Sequence, residues 1–487
     1  MEWSSLDIKT TAKLLKWCGE QYAGNPMLVF GEPGNRNAIT YDAFYEKARK
    51  CAYGYVSEGY DGGKKIALLG ENSAQWILHF FAITLSGNVA VLPDKAQTPE
   101  FLEKLLKRMD TACIVRSETY KDEGDEIAKA LGIDSKSMTW DEVDEIQVPE
   151  DFAPEIKEEM PAIIAFTSGT TGEPKGVVIS HINLISDALN GLDKLSVSGS
   201  TVLLLPLHHM YGIGTCFTCS LLSGVKICIN SSLRYIPQDM MEIRPDYLCV
   251  VPAVMPNMYP VFGAMKKNGL PIPKMLLSGG APLSIEWTEK YAALGIPVFD
   301  AFGITECAPG IAIGLKPAQG GTVGLDPIME VRINEPDDKG CGEIIVKGPN
   351  VMLEYYGQQE ETDKVIADGW FYTGDIGRMD EDGKLFITGR LKNLIILSNG
   401  ENVAPEELES DLVRNPMIEE VVIRQSDGEL EAEVYPADIE NFDDEREKAI
   451  RAEVSEWTRQ YPVFKRVTKV VFRKVPFEKT TTLKIKR

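Results

Sequence analysis

The stretch AIIAFTSGTTGEPKGVVIS, Ala162 to Ser180, decides how the chain is read. Two apolar runs, AIIAF and VVIS, bracket ten residues of which three are glycine and four carry hydroxyls. The glycines let the backbone turn and approach a ligand, while the hydroxyls, the exposed amides and Lys175 offer donors to phosphate oxygens. A phosphate cradle follows. It is not a Walker A loop, because Pro174 stands where that motif needs Gly before Lys, and Gly176 where it needs Ser or Thr. VVIS reads as a strand, whereas a Walker A loop opens a helix. A flexible surface turn is the bland alternative, and the density of specified residues between two apolar runs speaks against it.

Outward from this stretch the texture is that of an α/β fold. Residues 1 to about 115 alternate apolar runs (KIALLG, NVAVLP) with helix-length segments (AFYEKARKCAYGYVSEGY), which predicts a parallel sheet. Trp76 to Leu92 is the most apolar segment, but His79, Ser86, Gly87 and Asn88 interrupt it. It reads as a buried helix followed by a strand and not as a membrane span. Glu118 to Glu159 is acidic without long apolar runs and is expected to be a surface excursion of low stability. The α/β alternation then resumes with MLLSGGAPLS as strand and turn, SIEWTEKYAALG as a helix stopped by Gly295, and IPVF as a strand. Loops after such strands lie at the carboxyl end of the sheet, where open α/β folds bind ligands. Beyond residue 320 come short strands with turn signals, including a hairpin at Asp382-Gly383.

Bulk composition narrows the function. The 487 residues exceed one ordinary core, so at least two domains are expected. Fifty-one basic against 73 acidic side chains give a net charge of −22, which disfavours nucleic acid and anionic lipid as partners. The N-terminus MEWSSLDIKT has no export signal, and nine irregularly spaced cysteines fit a reducing cytoplasm. Cys216 and Cys219 have CxxC spacing, but with four His in the chain they read as two small buried thiols.

The loop from Thr167 to Lys175, followed in order by LPLHHMYG, SGGAPLS, DAFGITE, YTGD, GRLK, SNGENVAPEELE and KTTTLKIKR, resembles the adenylate-forming superfamily of acyl-CoA synthetases, adenylation domains and luciferases. The resemblance runs from about residue 30 to the end. It implies a large N-terminal domain, residues 1–391, of α/β subdomains with a small β-barrel, and a small mobile α+β C-terminal domain, residues 392–487. It also implies that Thr167, Ser168, Gly169, Thr170, Thr171 and Lys175 hold the β- and γ-phosphates of ATP, and that His209 gates the acyl pocket.

By the same resemblance Gly280, Ala281 and Pro282 border adenine, Asp300 accepts from its amino group, and Ala301 and Phe302 continue that wall. Phe302 stands where many relatives have Tyr and keeps the stacking face. Thr305 binds the α-phosphate and Glu306 holds Mg²⁺. Asp375 and Arg390 take the ribose, Lys392 is the interdomain hinge, Gly400 borders the pantetheine tunnel, and Lys484 is the catalytic lysine. Asp375 and Arg390 read without the resemblance would be an ordinary structural pair.

The implied activity is ATP-dependent activation of a carboxylic acid to its acyl-adenylate, then thioester formation with coenzyme A. Leu483, HHMYG and SGGAPLS point to a medium- or long-chain fatty acid, with an aromatic acid as the alternative. A stand-alone enzyme loading a separate acyl carrier protein, and a non-catalytic nucleotide-binding protein, are the other readings. A monomer or homodimer is expected.

Overall fold

The computed structural model describes residues 2–167, 174–230, 232–283, 285–317, 324–397, 402–426, 428–479 and 485. Its largest sheet has seven strands in the order Glu354–Tyr355, Lys175–Ser180, Pro161–Thr167, Val89–Val91, Lys65–Leu69, Thr111–Arg116 and Asp134–Ser137. From Pro161–Thr167 outward to Asp134–Ser137 every pairing is parallel. Lys175–Ser180 returns antiparallel to Pro161–Thr167, with Thr167 opposite Lys175, so both ends of the predicted phosphate loop are fixed on adjacent strands. Ser180 then caps the helix His181–Lys194, its hydroxyl accepting from the Asn183 amide and the Asn183 carboxamide accepting from the Ser180 amide.

Ala74–Leu85 is the helix, and Val89–Val91 the strand, expected of the apolar segment from Trp76 to Leu92. The helix is buried all round, as a helix in the interior of a large domain should be. The acidic segment 118–159 is more ordered than its composition suggests. Lys121–Leu131 is a helix whose Ile127 and Ala128 reach the core, and Asp134–Ser137 completes the sheet edge. Few apolar residues suffice there because Arg116 and Lys121 pair with Asp125 and tie the helix down.

A second sheet orders Tyr247–Val250, Met275–Gly279, Val298–Gly303, Gly310–Ile313 and Asp326–Pro327, the first three strands parallel. A third sheet of four strands joins Asn35–Thr40 and Pro26–Glu32 to Lys226–Ile229 and Ser200–Leu203. The short strands beyond residue 320 make a half-barrel: Glu330–Asn334, Gly342–Lys347, Trp370–Met379, Ile366–Ala367 and Leu385–Arg390. From Ile395 the chain builds a core of its own, with Pro405–Leu412 and Asp444–Thr458 packed on the sheet Ile418–Ser426, Glu429–Pro436, Val467–Phe472.

Leu408 is fully buried in that last core. Leu408→Ala is expected to destabilise it by about 2–5 kcal/mol. In scanning calorimetry one transition should fall in temperature while the remainder stays in place; a uniform shift would mean that the whole chain unfolds as one unit.

Candidate active site

Lys175 leaves the end of its strand with its ammonium 2.7 Å from Glu361 Oε2 and 4.5 Å from the centre of the Tyr355 ring. Tyr355 in turn donates its hydroxyl to Glu306 Oε1 at 2.8 Å. The contact is possible because Glu354–Tyr355 pairs with Lys175–Ser180, and because the Met352 amide donates to the Glu306 carbonyl. Thus Lys175 and Glu306, 131 positions apart in the chain, are joined through one aromatic ring. Thr167 sits opposite Lys175, while Ser168, Gly169, Thr170 and Thr171 lie outside the described residues.

The adenine wall predicted from SGGAPLS and DAFGITE comes from two neighbouring parallel strands, with Ser278 opposite Asp300 and Gly279 opposite Ala301. Gly280 turns the first strand away with φ +80°, a conformation only glycine adopts freely, and Ala281 and Pro282 follow in the turn. Phe302 is half-buried, opposite Ala312. Asp300 Oδ1 accepts from the Ala301 amide at 3.0 Å. Burial pushes its carboxyl up to about 7, with the Ala301 amide pulling the other way.

Thr305 and Glu306 lie in the 3₁₀ turn Thr305–Cys307. Asn350, fully buried, donates to the carbonyls of Cys307 at 3.0 Å and Gly310 at 2.7 Å, and Asp187 Oδ1 accepts from the Gly310 amide at 2.7 Å. Burial raises Asp187 well above the ordinary carboxylate range, with the Gly310 amide pulling the other way. These two side chains, unnoticed in the sequence, hold the turn that carries Glu306. Burial raises Glu306 too, against the lowering effect of the Tyr355 hydroxyl and Arg390.

A carboxylate short of cationic charge fits a divalent cation. Among the described residues no cluster of three or more His, Cys, Asp or Glu could hold a metal unaided. A lone carboxylate suits Mg²⁺, which takes most of its ligands from water and substrate phosphates.

Asp375 and Arg390 face each other across the hairpin and form a two-point ion pair, Nε to Oδ1 at 2.5 Å and Nη2 to Oδ2 at 3.3 Å. The structural pairing is therefore real, and Arg390 remains 41% exposed beside an almost covered Asp375. Lys392 is close to both, since partial burial and then Arg390 push its ammonium down while Asp375, Glu306 and Glu406 oppose this. His209 is half-buried, its ring 4.5 Å from that of the buried His208, which stands 3.6 Å from Asp94. Gly400 and Lys484 lie outside the described residues. Cys216 and Cys219 are both buried in the apolar interior, as the sequence suggested.

A model of the AMP-binding enzyme family matches residues 15–356. The chain belongs to that family. It is 28% identical over 522 residues to 4-coumarate–CoA ligase 3 of Arabidopsis thaliana, covering 96% of this chain and 89% of the relative. With the feruloyl-CoA synthase of an Amycolatopsis species it shares 29% over 428 residues, 83% of this chain and 85% of the relative. The crystal structure of ATP-bound MatB from Rhodopseudomonas palustris superimposes with a TM-score of 0.83 at 25% identity, over 97% of each chain. No helix among the described residues is long and apolar enough to cross a membrane.

The raised Asp300 carboxyl sets a pH dependence. Below about pH 4 it is protonated in folded and unfolded chains alike. Between about pH 4 and about pH 7 the unfolded chain ionises while the folded one holds its proton, so stability falls as pH rises, and above about pH 7 the loss is complete. Asp300→Asn removes this contribution. Its thermal midpoint relative to wild type should rise steadily across that window; a flat difference would mean that the carboxyl is not enclosed.

Proposed function

We propose that this family member activates an aromatic carboxylic acid, of the hydroxycinnamate or benzoate kind, as its acyl-adenylate and passes the acyl group to coenzyme A. ATP, Mg²⁺ and coenzyme A are its co-reactants. The AMP-forming acid–CoA ligase activity rests on family membership and on the convergence of Lys175, Tyr355 and Glu306 with Asp375, Arg390 and Lys392.

In the first half-reaction a carboxylate oxygen attacks the α-phosphorus and the bond to the β-phosphate breaks, releasing pyrophosphate. Two anions must be brought in line, so the residues serve by positioning and by neutralising charge. Lys175 takes the β- and γ-phosphates, Asp300 and Phe302 orient adenine, Asp375 and Arg390 take the ribose, and Thr305 donates to the α-phosphate. Glu306 would hold Mg²⁺, which when bound supplies further neutralisation of the phosphates. Lys484, on the strength of the sequence resemblance, bridges the carboxylate and the α-phosphoryl group.

In the second half-reaction the coenzyme A sulfur attacks the acyl carbonyl and AMP leaves with the shared oxygen. Residues 392–487 move as a domain about Lys392, withdrawing Lys484 and bringing the Gly400 loop to the thiol. The separate core from Ile395 onward supports such a division.

The sequence put a medium- or long-chain fatty acid first and an aromatic acid second; the 4-coumarate and feruloyl relatives favour the aromatic class, and the segment after His209 is closely packed. Tyr211 crosses the space between its helical segment and the strand Met275–Gly279, its hydroxyl donating to the Leu277 carbonyl at 2.8 Å. A Cβ on Gly279 would come within 3.1 Å of that ring. Three positions on, Gly214 packs so closely that a Cβ would lie 2.7 Å from the Ala308 carbonyl oxygen. These contacts show a tightly packed segment after His209, which suits a compact, rigid acyl group better than a long flexible one. The 4-coumarate and feruloyl relatives support the same reading.

ATP–pyrophosphate exchange and thioester formation, measured over a panel of aryl and fatty acids, provide the test. Aryl acids should exceed fatty acids of eight or more carbons by at least about tenfold in kcat/KM, a difference of about 1.4 kcal/mol in transition-state binding. Lys484→Ala should abolish exchange and leave thiolation of a preformed aryl-adenylate largely intact. A fatty-acid preference would overturn the substrate class, and equal loss in both half-reactions the role of Lys484. Turnover with a carrier protein but not with free coenzyme A would overturn the acceptor.

A further inference from the structure

Glu361 lies beyond the stretch matched by the family model, on the short helix Gln359–Val365. Its carboxylate faces two cations: Oε2 accepts from Lys175 at 2.7 Å, and Oε1 from Lys364 at 2.5 Å. The helix is fastened to the strand beside the phosphate loop. The Tyr355 amide donates to the Thr362 hydroxyl at 3.0 Å, and Tyr355 pairs with Val177 on the strand that Lys175 begins. Lys175 is 17% exposed and lies over the Tyr355 ring, so it is held on two sides in a partly desolvated setting. Lys364 by contrast is 66% exposed and faces solvent.

We propose that Glu361 is a positioning residue that competes with the β- and γ-phosphates for Lys175, and so weakens the binding of ATP and of pyrophosphate without affecting that of AMP. The inference rests on the reading of Lys175 as the phosphate lysine. A lone lysine beside a triphosphate would favour the product pyrophosphate as strongly as the substrate. A carboxylate fixed within hydrogen-bond distance of the same ammonium repels both anions and offers the lysine a partner when either leaves. Lys364 makes the exchange cheap in free energy, because Glu361 keeps one cation when Lys175 turns to a phosphate. The two lysines hold Glu361 at about 2, below the usual carboxylate range, so the competitor stays charged at any working pH. The Tyr355 ring limits how far the ammonium can swing, so the contest is local to Lys175 and reaches the Glu306 turn only through the tyrosine hydroxyl.

An isolated pair between exposed groups would contribute almost nothing. The consequence that separates the two cases is selectivity among ligands. AMP carries no β- or γ-phosphate, so it senses the fold of the site but not the contest for Lys175.

Calorimetric titration of Mg-ATP, inorganic pyrophosphate and AMP into the full-length wild type, Glu361→Gln and Lys175→Ala tests this. Glu361→Gln should tighten ATP and pyrophosphate roughly five- to tenfold, as expected for removing one like charge at short range, and leave AMP within about twofold. Unchanged or weakened pyrophosphate binding in Glu361→Gln would overturn the proposal. So would a parallel change in AMP, which would place the effect on the fold and not on Lys175. Lys175→Ala should weaken both polyphosphates and spare AMP. If it leaves pyrophosphate untouched, the reading of Lys175 itself fails. If it weakens pyrophosphate while Glu361→Gln changes nothing, only the role of Glu361 falls.

Discussion

The antiparallel pairing of Pro161–Thr167 with Lys175–Ser180 is the constraint on which the site depends. It fixes Thr167 opposite Lys175, so the two ends of the glycine-rich segment are held on buried, adjacent strands. The same strand accepts Glu354–Tyr355 on its far edge, and Tyr355 carries the register across to Glu306. The Glu306 turn is then fixed from below by Asn350 and Asp187. The placing of Lys175, the Tyr355 ring and Glu306 is therefore a consequence of one strand register, which a one-residue slip would dismantle.

Electrostatics explain how a chain of net charge −22 can take anionic substrates. Long-range attraction is absent, so recognition falls to fixed short-range partners. Several site cations are already tied to a carboxylate: Lys175 to Glu361 and Arg390 to Asp375. Burial pushes the carboxyls of Asp187 and Asp300 up, toward their neutral forms, which lowers the negative charge that this part of the fold presents.

Much of this was legible in the sequence, and the reasons differ by element. The strands on either side of TSGTTGEPKG and the strand and turn of SGGAPLS were legible because their apolar runs and glycine signals are local. Gly295 stopped its helix as expected, with φ +84°. The order of segments allowed roles to be assigned to Asp300, Phe302, Thr305 and Glu306, and the fold brings those residues to one region.

What stayed hidden depends on tertiary contact. Glu361 meets Lys175 from 186 positions away, and nothing local marks one Glu in QQEETDK as different from its neighbours. Nothing in the sequence around Tyr355 marks it as the link between Lys175 and Glu306. The helix Lys121–Leu131 was missed because its stability comes from ion pairing and from only a few buried residues, not from a wide apolar face. The small barrel expected of the short strands beyond residue 320 is present as a half-barrel.

The segment at Tyr211 and Gly214 shows why the acid is harder to read than the nucleotide. Phosphate and adenine are met by backbone turns and a few required residue types, which leave a pattern in sequence. An acyl pocket is met by shape, which depends on how closely backbones approach one another, as Gly214 approaches the Ala308 carbonyl. Glycine at such a point records only that something is near. Whether that something is a ligand or the protein's own main chain is decided by the turn that Asn350 and Asp187 hold in place. The packing of Gly214 against Ala308 is in this way tied to the turn that presents Glu306, so a larger residue at position 214 would also disturb the carboxylate proposed to hold the metal.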